Sequence, residues 1–256
     1  MKKIILNILF IIIFITILIG LGYTQSLEDH QKLIYPIVRV TTDKAGGSGS
    51  IIYSGKKDDK YITLVLTNYH VIEDAISITE EWDSTLQKKI ARERRSVVYV
   101  EVFKYREISI PIGTFRIEAD IIIYNAQEDM ALLRLRSEDQ VKDVVILPPT
   151  NRQYNVLDQT IAVGCSLGFP PLPTTGILTR KNIQINSLNY HMSSSQIIYG
   201  NSGGAIFLYK TGELIGIPSM LVAAGWGTPI PHMGLFIPIE RIYKWLYNNK
   251  IILQDK

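Results

Sequence analysis

Past residue 30 the chain alternates short apolar runs with turn residues, at a spacing too tight for helices of ordinary length. Ile34 to Thr42, Gly49 to Tyr53, Tyr61 to Leu66, Val97 to Tyr105, Ile117 to Tyr124 and Met130 to Leu135 form a first set. In the fourth run Val98, Val100 and Val102 recur with the period of two that lines one face of a strand. Pro148-Pro149-Thr150-Asn151-Arg152 then breaks the pattern. A second set follows: Thr160 to Gly164, Gly176 to Thr179, Ile183 to Ile185, Ala205 to Tyr209, Glu213 to Ile217 and Gly234 to Ile237. So many short strands between turn signals predict an all-β architecture, barrel or sandwich. Two β-modules of similar size are expected, over 31–147 and 155–250, joined near 146–156. The end of the chain changes period. Ile239, Ile242, Tyr243, Leu246 and Tyr247 follow Pro238 at helical spacing, which predicts a C-terminal helix laying its apolar stripe on the modules.

The first residues are different in kind. Lys2 and Lys3 precede Ile4 through Tyr23, apolar apart from Asn7, Thr16 and the glycines. At ~1.5 Å per residue, about twenty residues cross a ~30 Å hydrocarbon layer, whereas a cleavable signal carries only ~7–15 apolar residues. Residues 1–23 are therefore expected as a membrane anchor through 4–23. A signal segment cut near Gly20-Leu21-Gly22 is the alternative. Lysines before the segment and Glu28 and Asp29 after it place the body outside the cytoplasm, periplasmic or extracellular, and secreted if residues 1–22 are removed.

Composition narrows the function classes. Hydrophobic residues make up 46% and charged ones 20%, the balance of a folded globular chain. A net charge of +3 is too small to argue for a nucleic-acid partner. The densest basic run, Lys88 to Arg95, reads as a solvated loop or short helix. A single cysteine, Cys165, rules out a disulfide within the chain and reads as a small buried hydrophobe. No His or Cys cluster has metal-ligand spacing and no glycine loop fits a phosphate, so neither metal nor cofactor is expected.

One interruption asks for chemistry. Between the strand-like Ile197-Ile198-Tyr199 and Ala205-Ile206-Phe207-Leu208 stand Gly200-Asn201-Ser202-Gly203-Gly204. A hairpin needs only two turn residues. A serine hydroxyl becomes a nucleophile when a base takes its proton, and acyl transfer needs amide N–H groups aimed at the developing oxyanion. Flanking glycines allow that backbone shape, with Gly200 and Ser202 supplying the two N–H groups. Four histidines could serve as base. His30 follows the apolar leader, His191 sits among serines in an apparent surface loop, and His232 is flanked by prolines. His70 ends an apolar run and opens a helical turn, so a rigid strand anchors it at a rim. Asp129, at the mouth of the apolar run Met130 to Leu135, is either a turn residue or the carboxylate that orients the imidazole. Glu128 would point elsewhere.

The chain order His70, Asp129, Ser202 is that of the chymotrypsin fold. Thr67-Asn68-Tyr69-His70-Val71, Asp129-Met130-Ala131-Leu132-Leu133 and Gly200-Asn201-Ser202-Gly203-Gly204 resemble the three catalytic motifs of HtrA/Deg-type trypsin-like serine proteases. Gly47-Ser48-Gly49-Ser50 resembles their strand ahead of the histidine, and the likeness runs from about 34 to 248. It implies two six-stranded antiparallel β-barrels with the triad in the cleft between them, and a serine endopeptidase acting through an acyl-enzyme, with a role in protein quality control outside the cytoplasm. By position in the motifs, Gln196, Ile197 and Ile198 would line one wall of the substrate pocket and Ile217 and Ser219 another. With no acid between Gln196 and Ser202, small or medium apolar residues are the expected taste. Polypeptides are the expected partners, and a homo-oligomer is allowed. A protease-like binding or scaffold module without activity is the main alternative, with an esterase or other acyl transferase behind it.

Overall fold

The computed structural model describes residues 27–251 and 253, apart from 58 and 109. The expected anchor, 4–23, lies outside the described residues, and among those described no helix is long and apolar enough to cross a membrane. Residues 27–33 are helical and lead into β1. The strands are β1 (Ile37–Thr41), β2 (Gly46–Lys57), β3 (Lys60–Thr67), β4 (Ile76–Asp83), β5 (Lys88–Arg95), β6 (Val98–Arg106), β7 (Ile110–Asn125) and β8 (Met130–Leu135), followed by β9 (Gln159–Gly164), β10 (Leu172–Ile185), β11 (Leu188–Ser193), β12 (Ala205–Leu208), β13 (Leu214–Ala223) and β14 (Pro229–Pro238). They close into two antiparallel six-stranded barrels, β1-β2-β3-β8-β7-β6 and β10-β11-β14-β13-β12-β9.

Strand periodicity explains where the barrels meet. In the first barrel Val38, Ile51, Val65, Ala131 and Leu133 point inward to one core. Their neighbours Ile37, Ile52, Leu66, Met130 and Leu132 point outward and join the core of the second barrel. Successive side chains of a strand face opposite ways, so these strands are buried on both faces. That is why Met130-Ala131-Leu132-Leu133 reads as an unbroken apolar run. Truncating Leu132, fully buried at this seam, would cost about 2–5 kcal/mol.

Three expectations need correction. The basic run Lys88 to Arg95 is strand β5, neither loop nor helix. It pairs with β4 in a separate two-stranded ribbon along its whole length. Cross-strand ion pairs from Glu81 to Arg92 and Arg94 hold an element with almost no apolar face. His191 lies on β11 at 2% exposure, against the rings of Tyr154 and Phe236, and not in a surface loop. The C-terminal helix forms over Ile239–Asn248, but its buried stripe is Ile239, Ile242, Trp245 and Leu246. Tyr247 faces solvent at 81% exposure, because the stripe drifts by one residue to take the larger indole.

Candidate active site

The site lies on the seam between the barrels. β3 ends at Thr67 and a four-residue helix, Tyr69–Ile72, follows at once. The buried side chains of Val71 and Ile72 fix that helix, which leaves His70 at the rim. On the neighbouring hairpin, β7 gives way to β8 through a turn in which Asn125 Oδ1 accepts from the Glu128 N–H at 2.8 Å. Asp129 closes this turn with φ +55°, a left-handed conformation that Asp tolerates better than most residues. Asn68 Nδ2 donates to the Asp129 carbonyl at 2.9 Å, tying the two segments together.

The carboxylate of Asp129 is fully engaged. Oδ1 accepts from the His70 amide at 3.1 Å, and His70 Nδ1 lies 2.9 Å from Oδ1 and 3.0 Å from Oδ2. The Ser219 hydroxyl donates to Oδ2 at 2.6 Å. A carboxylate in this setting accepts only, so the imidazole carries its proton on Nδ1 and keeps the Nε2 lone pair for the cleft. Glu128 turns away, as expected, into an ion pair with Arg241 at 2.6 Å.

The turn 200–204 is braced from the other barrel. Ser48 on β2 donates its amide to the Ser202 carbonyl at 2.8 Å and its hydroxyl to the Gly200 carbonyl at 2.6 Å. The same hydroxyl accepts from the Cys165 amide at 2.7 Å. Asn201 is buried beneath the turn, its Oδ1 accepting from Ser166 Oγ at 2.6 Å. Gly200 has φ +96°, and a Cβ there would stand 2.5 Å from the Cys165 carbonyl oxygen. Gly203 has φ +81°, and a Cβ there would stand 2.3 Å from both the Ser48 carbonyl oxygen and Thr67 Oγ1. No side chain fits at either position.

This shape leaves two amides unspent. Asn201, Gly203 and Gly204 donate their N–H groups to the carbonyls of Ile198, Pro218 and Asn201. Gly200 and Ser202 donate to no protein acceptor among the described residues. The Tyr199 carbonyl accepts from the Leu167 amide at 2.8 Å. In a trans peptide the C=O and N–H point opposite ways, so that bond turns the Gly200 N–H toward the cleft. Two uncommitted donors beside a serine make an anion cradle.

His70 and Ser202 share the wall of one cavity of about 370 Å³ with Ile197, Ile198 and Ser219. Two expected wall residues are absent from it. Ile217 is fully buried in the barrel core, and Gln196 is exposed outside the cavity. For Ile217 the reason is an irregularity in β13, whose register with β14 shifts between Pro218 and Met220. Simple alternation from Ile217 therefore misassigns the faces. Met220, Leu221, Ala223, Gly227 and Pro229 line the cavity instead, and Tyr199 stands at its mouth. A bulge leaves no reliable mark in one sequence, although Pro218-Ser219 inside a strand pattern hints at one. The nearby Cys165 is buried, which pushes its thiol up to about 12 and keeps it protonated and inert. Among the described residues no group of His, Cys, Asp and Glu could hold a metal ion.

Comparison with known proteins identifies the family. The family model of the trypsin-like peptidase domain matches residues 47–217. The serine protease Do-like HtrA of Lactococcus lactis subsp. cremoris is 29% identical over 205 residues, covering 75% of this chain and 42% of the relative. The periplasmic pH-dependent serine endoprotease DegQ of Escherichia coli is 30% identical over 187 residues, covering 71% of this chain and 32% of the relative. The match thus spans less than half the length of either relative. Among solved structures, an HtrA-type protease, AlgW, in a variant with a tripeptide superposes with a TM-score of 0.62 at 18% identity, over 90% of this chain and 63% of that one. That last likeness concerns the fold alone. The chain belongs to the trypsin-like peptidase family.

Proposed function

We propose that this chain is a serine endopeptidase in which Ser202 attacks the peptide carbonyl, His70 is the general base and Asp129 orients the imidazole. His70 Nε2 takes the Ser202 proton as Oγ bonds to the carbonyl carbon, and the Gly200 and Ser202 amides receive the oxyanion. The imidazolium then protonates the leaving amine. Water repeats the sequence on the acyl-enzyme and returns Ser202 free. The Ser219 hydroxyl and the His70 amide hold the Asp129 carboxylate in place against the imidazole.

The observation that carries this reading is the pair of uncommitted amides, Gly200 and Ser202, at the nucleophile. A turn kept only for folding has no reason to withhold two donors from the protein. The substrate's path follows from β13. This strand pairs with β12 from Leu214 to Gly216, and beyond that its outer edge along Ser219–Leu221, beside the cavity, meets no strand among the described residues. An extended peptide can add there as a strand. Ile197 packs onto Gly234 so closely that a Cβ at 234 would stand 2.2 Å from its Cδ1, which keeps the cavity shallow. Small or medium apolar residues before the cut bond suit it best. The relatives' names carry the further proposal of work outside the cytoplasm, with residues 1–23 as leader or anchor and 31–147 and 155–250 as the two units.

Digestion of unfolded casein and of short apolar peptides tests the reading, beside Ser202→Ala. Cleavage that vanishes in Ser202→Ala with the fold intact by circular dichroism supports it. Cleavage that survives the substitution contradicts Ser202 as the nucleophile, and a folded protein that cleaves nothing favours the binding-module alternative.

A further inference from the structure

The turn that carries Asp129 is gripped from the opposite barrel. Arg241 stands in the first turn of the C-terminal helix, which Ile239, Ile242, Trp245 and Leu246 root in the core of the second barrel. Its side chain reaches the β7–β8 turn of the first. Nη2 donates to the Glu128 carboxylate at 2.6 Å and to the Glu128 carbonyl at 3.1 Å, and Nε donates to the same carboxylate oxygen at 3.2 Å. Nη1 donates to the Asn189 carbonyl on β11 at 3.0 Å, and the guanidinium carbon lies 4.8 Å from the centre of the Tyr190 ring. Only 11% of the side chain is exposed. A solvated ion pair fixes little, but a guanidinium held by β11 as well has one position.

The bond to the Glu128 carbonyl matters most. A peptide group is planar, so holding that C=O also fixes the N–H and Cα of Asp129. On the other side of Asp129, Asn68 Nδ2 holds the next peptide group by its carbonyl at 2.9 Å. With both flanking peptide groups held, φ and ψ of Asp129 have no freedom and its Cβ has one direction. Asp129 needs that constraint. Its φ of +55° is a strained conformation for a residue with a side chain, and it persists only where the surroundings enforce it. Asn68 stands two residues before His70. One grip on Asp129 therefore comes from the segment of the base itself and the other from the far barrel.

We propose that Arg241 is a positioning residue for the triad: from the C-terminal helix it fixes the peptide group ahead of Asp129 and so aims the carboxylate at His70 Nδ1. The proposal rests on the serine-endopeptidase reading above and makes the triad depend on a helix that touches neither the nucleophile nor the cavity.

The test separates aim from folding. Arg241→Gln and Arg241→Lys are made in the full chain, beside Glu128→Gln, which removes the ion pair but keeps the carbonyl that Arg241 holds. Two quantities are read: kcat and KM on a peptide ester, and the far-downfield proton NMR signal of His70 Nδ1–H, which reports its hydrogen bond to Asp129 and needs no turnover. Arg241→Gln should lower kcat about ten- to hundredfold with KM within about twofold, and should shift or erase the signal. Arg241→Lys keeps the charge without the fork, so its kcat should stay at least about fivefold below the parent. Glu128→Gln should stay within about threefold of the parent and leave the signal in place. The proposal is overturned by a signal unmoved in folded Arg241→Gln, by full activity in Arg241→Lys, or by Glu128→Gln proving as damaging as Arg241→Gln. If Arg241→Gln does not fold, Arg241→Lys decides by the same signal. A parent that turns nothing over counts against the catalytic reading alone, and the signal then decides the positioning: moved in the Arg241 variants it supports the proposal, and unmoved or absent from the parent it overturns it.

Discussion

The turn 200–204 and the β4–β5 ribbon are both polar segments carried on an apolar scaffold, and they are held in opposite ways. The ribbon carries charges along both strands, and its ion pairs from Glu81 to Arg92 and Arg94 lie in solvent. Water competes for every one of them, so each contributes little. The turn has no charge of its own. Its bonds to Ser48 and Ser166 are buried, and losing a partner there strands a polar group without water. Burial, more than charge, decides which polar contact shapes the molecule. The same contrast holds around Asp129, whose carboxylate is anchored at the seam by three donors.

The contrast can be broken or sharpened by substitution. Asp129→Asn should have the largest effect short of removing Ser202. An amide in that place favours the wrong imidazole tautomer, and kcat should fall by about 10⁴-fold with little change in KM, read on a peptide ester. Ser48→Ala removes two hydrogen bonds from the brace. Losing about 1–3 kcal/mol of positioning should lower kcat by roughly ten- to hundredfold, while the protein still folds. If Ser48→Ala acts on stability alone, the turn does not depend on its brace.

A smaller effect concerns pH. Burial holds the pKa of His191 below its ordinary 6.5. As pH falls through that value the unfolded chain takes up a proton that the folded one refuses. Stability should decline from about pH 6.5 downward until the lowered pKa of the folded state is passed. The slope of urea-derived stability between pH 7 and pH 5 should flatten in His191→Gln. Last come Arg92→Ala and Arg94→Ala on the ribbon, each expected to change stability by less than about 0.5 kcal/mol in the same titration.

Much of this was legible in the residues, and the failures have physical reasons. The runs from Ile34 to Leu135 correspond to the six strands of the first barrel, because each buries a face and so keeps its period. In the second barrel β11 went unseen, since Tyr190, His191 and Met192 lie between Asn189 and a string of serines whose hydroxyls are spent inside the barrel. Thr160 Oγ1, for example, lies 2.8 Å from both Ser193 and Ser195 Oγ. The ribbon was missed because cross-strand ion pairs, and no apolar alternation, specify it. Around the site, His70, Asp129 and Ser202 stand out by their neighbours in sequence, and the structure brings them to one seam. The roles of Ser48 and Ser219 depend on contacts across 152 and 90 residues, which no local pattern announces. Of the five residues expected on the substrate wall, Gln196 and Ile217 lie off it, and the irregularity at Ser219 accounts for Ile217.

The claim at the centre is that Ser202, deprotonated by His70 over two free amides, is a working nucleophile. Fluorophosphonate labelling followed by peptide mapping tests it most directly. The account predicts one adduct per chain, on Ser202, formed at a rate that falls steeply in His70→Ala. An adduct on another residue, or no adduct on a folded protein, would contradict it.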